Sequence, residues 1–267
     1  MHKTQKMHNY TFKRLKYIIF AKHKKGFSIH SPFVFDFITK VIENKNLDGD
    51  YLNINTLRKQ LKKNNSKIST ETLGAKSKTS SSEFRKISSI YKSSSVQKKY
   101  GELLYRICNW AKPQCIIETG TCMGISTAYL ALSTPEAHTT SIEGNSDLVK
   151  IASKNLTELN IANTSIIEAN IDDVLEDILK KVKKPDFVFL DANHTYIACK
   201  KYFEQILDYI HNDTIVVIDD IHWSTGMEKA WNEIKQNTKV TVSIDLFQFG
   251  IIFFRKESPK QDFKIKF

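Results

Sequence analysis

The stretch Cys115–Ser126, CIIETGTCMGIS, runs from an apolar segment into a carboxylate, Glu118, and then through Gly120 and Gly124 into a segment of helical periodicity. Glycines at a strand-to-helix turn let the backbone approach a ligand closely, and the helix that follows offers unpaired N–H groups. Dinucleotide sites space such glycines as G-x-G-x-x-G. Here Gly120 is followed by Thr121, Cys122, Met123 and Gly124, which departs from that pattern. A two-glycine turn also fits a tight turn without a ligand, so its meaning depends on what surrounds it.

Downstream of Gly101, apolar runs alternate with helix-period segments. CIIET precedes Ile125–Leu132, TTSIE precedes Leu148–Leu159, and TSIIEA precedes Val174–Val182. FVFLD then precedes Tyr196–Ile210, and TIVVIDD precedes Met227–Ile234. Alternation of this kind predicts parallel β-α-β units with the sheet covered on both faces. VTVSIDL and FGIIFFR are too close together for a parallel crossover and predict an antiparallel hairpin. The expected fold is α/β: a Rossmann-like doubly wound sheet, mostly parallel, with an antiparallel C-terminal hairpin strand and an N-terminal helical segment.

The boundary is drawn between residues 1–99, basic and mostly helical, and residues 100–267, which carry the sheet. Within the first part, Ser31 and Pro32 predict a helix start, with Phe33, Phe37, Ile38 and Val41 at helical spacing behind them. A Lys- and Ser-rich stretch follows, in which Leu57, Leu61, Ile87, Ile90 and Tyr91 are sparse, and a mobile loop is expected around Thr70 to Ser82. The net charge of +11 is concentrated in these residues. No apolar run approaches the roughly 18 residues that span a bilayer, and YIIFA, flanked by lysines, is a poor signal peptide. A cytoplasmic protein without membrane partners is expected. Cys108, Cys115, Cys122 and Cys199 form no C-x-x-C pair and read as free thiols.

Polar residues close the strands in turn. Glu143 ends the second strand at a distance from the glycine turn where an acid accepts hydrogen bonds from ribose hydroxyls. Asn170 follows the third, Asp191 ends the fourth, and Asp219 with Asp220 ends the fifth. Ligands of open α/β sheets bind outside the carboxyl ends of the strands, so these residues are expected to converge on one rim.

The run IIETGTCMGIS, SIEGN, IIEANIDD, FLDANHTY and VVIDDIHWS resembles a class I S-adenosylmethionine-dependent methyltransferase, closest to the O-methyltransferase branch of catechol and caffeoyl-CoA type enzymes. The resemblance covers roughly Tyr100 to Lys256 and makes residues 100–267 a methyltransferase domain. It implies that Glu118, Gly120, Thr121 and Gly124 shape the methionine end of the donor pocket and that Ser126 bonds the donor's carboxylate. Glu143 would take the ribose hydroxyls, Asn170 and Ile171 would border the adenine, and Asp191 would lie near the sulfonium and the acceptor. Cys122 replaces the middle glycine of the wider motif, as this branch commonly does with a larger residue.

The chemistry expected is methyl transfer to the hydroxyl of a small-molecule acceptor, with residues 1–99 supplying a cap on the acceptor side. Asp191, Asp219 and Asp220 crowd negative charge that calls for a cation, a proton or hydrogen-bond donors, and all-oxygen ligation points to Mg²⁺ or another divalent cation. Metal-dependent relatives carry Asp-Asn where this chain has Asp219-Asp220. His194, three residues after Asp191, falls where catechol-type enzymes place a lysine base, and His222 is a second candidate for that role. Two other readings stay open: an RNA or other nucleic-acid methyltransferase, motivated by the basic N-terminal residues, and a donor-binding protein without catalysis. The sequence also admits a homodimer.

Overall fold

The structure, a computed structural model, describes residues 13–21, 29–44, 51–69 and 84–267. The loop expected around Thr70 to Ser82 lies outside the described residues. The chain divides into two compact units, Met1–Asn44 with Lys183–Phe267, and Lys45–Val182. This division falls elsewhere than the compositional boundary after residue 99, because each unit takes a share of the strand-helix alternation.

In the first unit, residues 13–20 form a helix, α1, whose buried side chain is Tyr17. The Tyr17 hydroxyl donates to the carbonyl of Ile265, and the ring lies 5.2 Å from that of Phe247. The second helix, α2 (Pro32–Phe37), starts where the sequence predicts: the Ser31 hydroxyl accepts the N–H of Val34 at 3.4 Å, and Pro32 occupies the first helical position. It continues as a π-helical turn over Ile38–Ile42. Phe37, Ile38 and Val41 are buried, and the rings of Phe33 and Phe37 meet Phe253 edge-on.

The second unit opens with α3 (Leu52–Lys63), the short antiparallel pair β1 (Lys67–Ser69) and β2 (Phe84–Lys86), then α4 (Ile87–Ser94) and α5 (Lys98–Ala111). Leu57, Leu61, Ile87 and Ile90, sparse in the sequence, are all buried here because α3 packs on both α4 and α6 (Ile125–Ser133). Between α5 and α6 runs β3 (Cys115–Thr119), followed after α6 by β4 (His138–Glu143), α7 (Ser146–Glu158), β5 (Thr164–Glu168) and α8 (Ile171–Val182). β3, β4 and β5 are adjacent and parallel. α8 is oriented by its charges, with Asp172 and Asp173 in the first turn and Lys180 and Lys181 in the last, complementing the helix dipole.

α5 approaches α6 closely at Gly101, where an added Cβ would stand 2.4 Å from the buried ring of Tyr129. Alanine would gain about 1 kcal/mol of helix propensity over glycine. Overpacking against a buried ring costs about 1–3 kcal/mol, with backbone shifts at the upper end. The clash wins, so Gly101→Ala is expected to lower stability by about 1 kcal/mol net. A urea midpoint that rises in this variant would show that the ring has room to move.

The first unit resumes with β6 (Phe187–Leu190), α9 (Tyr196–Ile206), β7 (Ile215–Ile218), α10 (Thr225–Gln236), β8 (Val242–Asp245), β9 (Gly250–Phe253) and β10 (Gln261–Lys264). Their order is β10-β8-β9-β7-β6. Every residue of β6 and β7 is buried, the pattern of parallel strands covered on both faces. β9 runs antiparallel to both β7 and β8, which is the expected hairpin. β10, parallel to β8, is an addition that the sequence reading lacks. The result is the mostly parallel, Rossmann-like α/β fold. Among the described residues, no helix is long and apolar enough to cross a membrane.

Candidate active site

The glycine turn after β3 is left-handed along much of its length: φ is 91° at Gly120, 49° at Cys122 and 77° at Gly124. The N–H groups of Gly120 and Thr121 both donate to the carbonyl of Ile142, at 2.9 and 3.2 Å, which ties the turn to the end of β4. Thr121 strengthens the tie through its hydroxyl, 2.5 Å from that of Ser141. A Cβ at Gly124 would meet Ala152 at 3.4 Å, in a backbone conformation that side chains rarely adopt. Thr121 therefore acts inside the turn, and the two glycines give the turn its path.

Glu143, at the end of β4, holds the same loop from the other side. Its carboxylate accepts the N–H of Cys122 at 2.8 Å and that of Asn145 at 3.0 Å. Burial raises its pKa, opposed by these backbone hydrogen bonds. Asn145 in turn caps α7, accepting the N–H of Leu148 at 2.9 Å. At the next strand end, the Asn170 side-chain carbonyl accepts the N–H of Asp172 at 3.1 Å, and Ile171 begins α8, 8 % exposed.

Glu118 is wholly buried beneath the turn. Its Oε2 accepts hydrogen bonds from Thr127 at 2.5 Å and Ser141 at 2.7 Å, while Oε1 is buried without a partner. Ser126 lies buried near it, and burial raises the carboxyl pKa. A partnerless buried acceptor, a left-handed glycine turn at a helix start and a carboxylate at the neighbouring strand end together fit an adenosyl-type donor.

In the other unit, the register of β6 and β7 pairs Leu190 with Ile218, so Asp191 and Asp219 follow side by side. The ligand atoms of Asp191, His194 and Asp219 all lie within 4.8 Å of one another. Asp219 Oδ1 is buried with no partner. His194 Nε2 stands 3.6 Å from Asp191 Oδ1, with 29 % of the side chain exposed. Desolvation by the surrounding protein lowers its pKa and favours a neutral imidazole, opposed by the charge of Asp219. Two carboxylates and an imidazole so arranged, with one oxygen unsatisfied, fit a divalent cation.

Asp220, read from the sequence beside Asp191 and Asp219 as a cation ligand, is not among these three clustered groups, whereas His194 is. The Asp220 backbone is left-handed, with φ 55°. Burial, and then the charge of Asp219, pushes its pKa up to about 8, so the crowding is relieved by a proton on Asp220. His222, the second candidate base, has both ring nitrogens engaged: Nδ1 is 3.0 Å from Glu228 and Nε2 is 2.9 Å from Asp245. Phe247 stacks on its ring at 5.3 Å, and Lys13 of α1 reaches Glu228 at 2.7 Å. The sequence reading did not anticipate these partners, which lie 6 and 23 residues downstream. The four cysteines are free, and burial raises the thiol pKa of Cys108 and Cys199.

Residues 117–221 match the family model described as a methyltransferase domain. Among solved structures, the chain is similar to an O-methyltransferase from Bacillus cereus in complex with SAH: 16 % identity, 84 % of this chain and 97 % of that one, TM-score 0.55. It is also similar to the O-methyltransferase TomG of Streptomyces achromogenes in complex with SAM, at 21 % identity, 61 % and 82 % coverage and TM-score 0.53. SAH-bound methyltransferase PaMTH1 of Podospora anserina matches at 14 % identity, 61 % and 81 % coverage and TM-score 0.54. At such identities the structural likeness establishes the fold. No curated protein matches the sequence. Family model and fold agree in kind: residues 117–221, which include the glycine turn, are similar to a methyltransferase domain, and the sheet has the fold of the solved methyltransferases.

Proposed function

We propose that the protein transfers the methyl group of S-adenosylmethionine to a hydroxyl of a small-molecule acceptor. The observation that carries this reading is the Glu143 carboxylate, which braces the glycine turn through Cys122 and Asn145 while retaining acceptor capacity for ribose hydroxyls. Gly120 and Gly124 leave two points of the turn without a side chain, so a donor's methionine end can lie against the backbone there. When bound, the donor supplies an electrophilic methyl group and a divalent cation supplies a Lewis acid for the acceptor hydroxyl.

The residues of the second cluster divide the remaining work. Asp191 and Asp219 would hold the cation. His194, kept neutral by its surroundings, either completes that ligand set or takes the acceptor's proton. His222 is assigned to neither role, since two carboxylates engage its nitrogens.

The test uses the full chain. S-adenosylmethionine is expected to bind with micromolar affinity, and labelled methyl to move to a member of a panel of phenols, hydroxy acids and sugars. Absence of donor binding at millimolar concentration would remove the donor. Transfer to RNA alone, with steep salt dependence, would replace the small acceptor by a nucleic acid.

A further inference from the structure

The Lys- and Ser-rich region ahead of the glycine turn contains a cleft of about 610 Å³, distinct in its lining from the donor loop. Arg58, Lys59 and Lys62 of α3 line it, together with Lys92 near the end of α4 and Lys98 at the start of α5. No lining residue is acidic. Among the described residues, Lys59, Lys62 and Lys92 make no ion pair, and Lys98 reaches only Glu102, at 3.6 Å.

Arg58 is the unusual member, because it is 7 % exposed. Its guanidinium donates to the carbonyl of Val96 at 2.8 Å, reaches the Tyr91 hydroxyl at 3.4 Å and lies 5.6 Å from the centre of the Tyr129 ring. None of these partners carries a negative charge, and Nε is buried without any partner. The hydroxyl oxygen of Ser95, which lines the same cleft, is likewise buried and unpartnered. Buried charges are normally paired, since an unpaired one costs several kcal/mol in desolvation. The start of α5 adds to the deficit of negative charge: no side chain caps it, and its first turn contains no acid.

We propose that this cleft binds the phosphate of a small phosphorylated ligand, as a phosphomonoester or pyrophosphate group. Four lysines beside one buried guanidinium call for an anion of more than one charge, and phosphate matches the guanidinium fork with several acceptor oxygens. A volume of about 610 Å³ lies in the range of small-ligand sites. The lysines share one cleft with a single buried guanidinium, whereas a polymer groove strings cations along a backbone track. This site is independent of the donor loop, and its assignment stands whether or not methyl transfer is found.

Inorganic pyrophosphate, titrated by calorimetry into the full chain at fixed ionic strength, is the probe. Saturable binding with one-to-one stoichiometry is expected. The double variant Lys62→Ala/Lys92→Ala, at two exposed positions, should bind about tenfold or more weakly with an unchanged unfolding midpoint. Arg58→Gln should weaken binding about a hundredfold; should its loss of the Val96 contact unfold the chain, the surface double variant still decides. No heat beyond that of matched sodium chloride, or equal affinity in wild type and the double variant, would overturn the assignment. Salt-sensitive binding of a short single-stranded RNA without pyrophosphate binding would overturn the small-ligand part of it.

Discussion

Asp219→Asn is expected to weaken Mn²⁺ binding at least a hundredfold and to lower turnover in step, while the protein stays folded. Asp219 contributes one of the two negative charges among the three clustered ligands, and its Oδ1 is the buried oxygen left without a partner. An amide at this position keeps the shape and one weak oxygen donor but removes the charge that a hard cation requires. Calorimetric titration with Mn²⁺ reads the affinity directly, and equal affinity in the two proteins would remove Asp219 from the metal site.

A second readout concerns Asp220 in the metal-free protein. Its folded-state pKa lies above the unfolded value, so its protonated form favours the fold fully below about pH 4. That contribution is lost as pH rises through about 8. Because the charge of Asp219 is one cause of the shift, wild type should lose stability between those values more steeply than Asp219→Asn.

Glu143→Ala is expected to weaken S-adenosylmethionine binding about a hundredfold or more. A carboxylate offers about four acceptor sites, and the backbone N–H groups of Cys122 and Asn145 take two of them. The N–H of Gly144 is also directed at this carboxylate, so at least one site remains for a ribose hydroxyl, and a hydrogen bond to a charged group is worth about 1.5–3 kcal/mol. The alanine variant also releases the glycine turn at Cys122, adding an ordering cost on binding. Glu143→Gln, which keeps one oxygen and the side-chain shape, should fall between the two. Wild-type affinity in the alanine variant would place the donor elsewhere.

How much of this could be read beforehand depended on the range of the interactions involved. The strand, turn and helix from Cys115 to Ser133 were legible because apolar runs and glycines act locally. The proximity of Asp191 and Asp219 was legible too, because consecutive parallel strands tend to be neighbours. The nearness of His194 to both was not, since it depends on the path of the loop after β6. Nor were the partners of His222, Glu228 on α10 and Asp245 at the end of β8, which only tertiary packing brings to one imidazole. β10 escaped notice because its burial alternates, as on a half-covered strand, and its sequence QDFK carries a single apolar residue. Arg58 was hidden by its company: in a run of lysines and serines, nothing marks one cation as buried.

The contact between Tyr17 and Ile265 spans 248 residues, and that between Lys13 and Glu228 spans 215. A ribosome therefore delivers α1 long before its partners exist. Synthesis at about 5–20 residues per second leaves the helix waiting for roughly 10–50 s, with Leu15, Ile19 and Phe20 exposed even in the finished fold. The Lys45–Val182 unit, by contrast, is continuous in sequence. Nascent chains arrested before Asp245 would consequently hold α1 without its Ile265 acceptor, making the first helix a reporter of whether translation has reached the last strands.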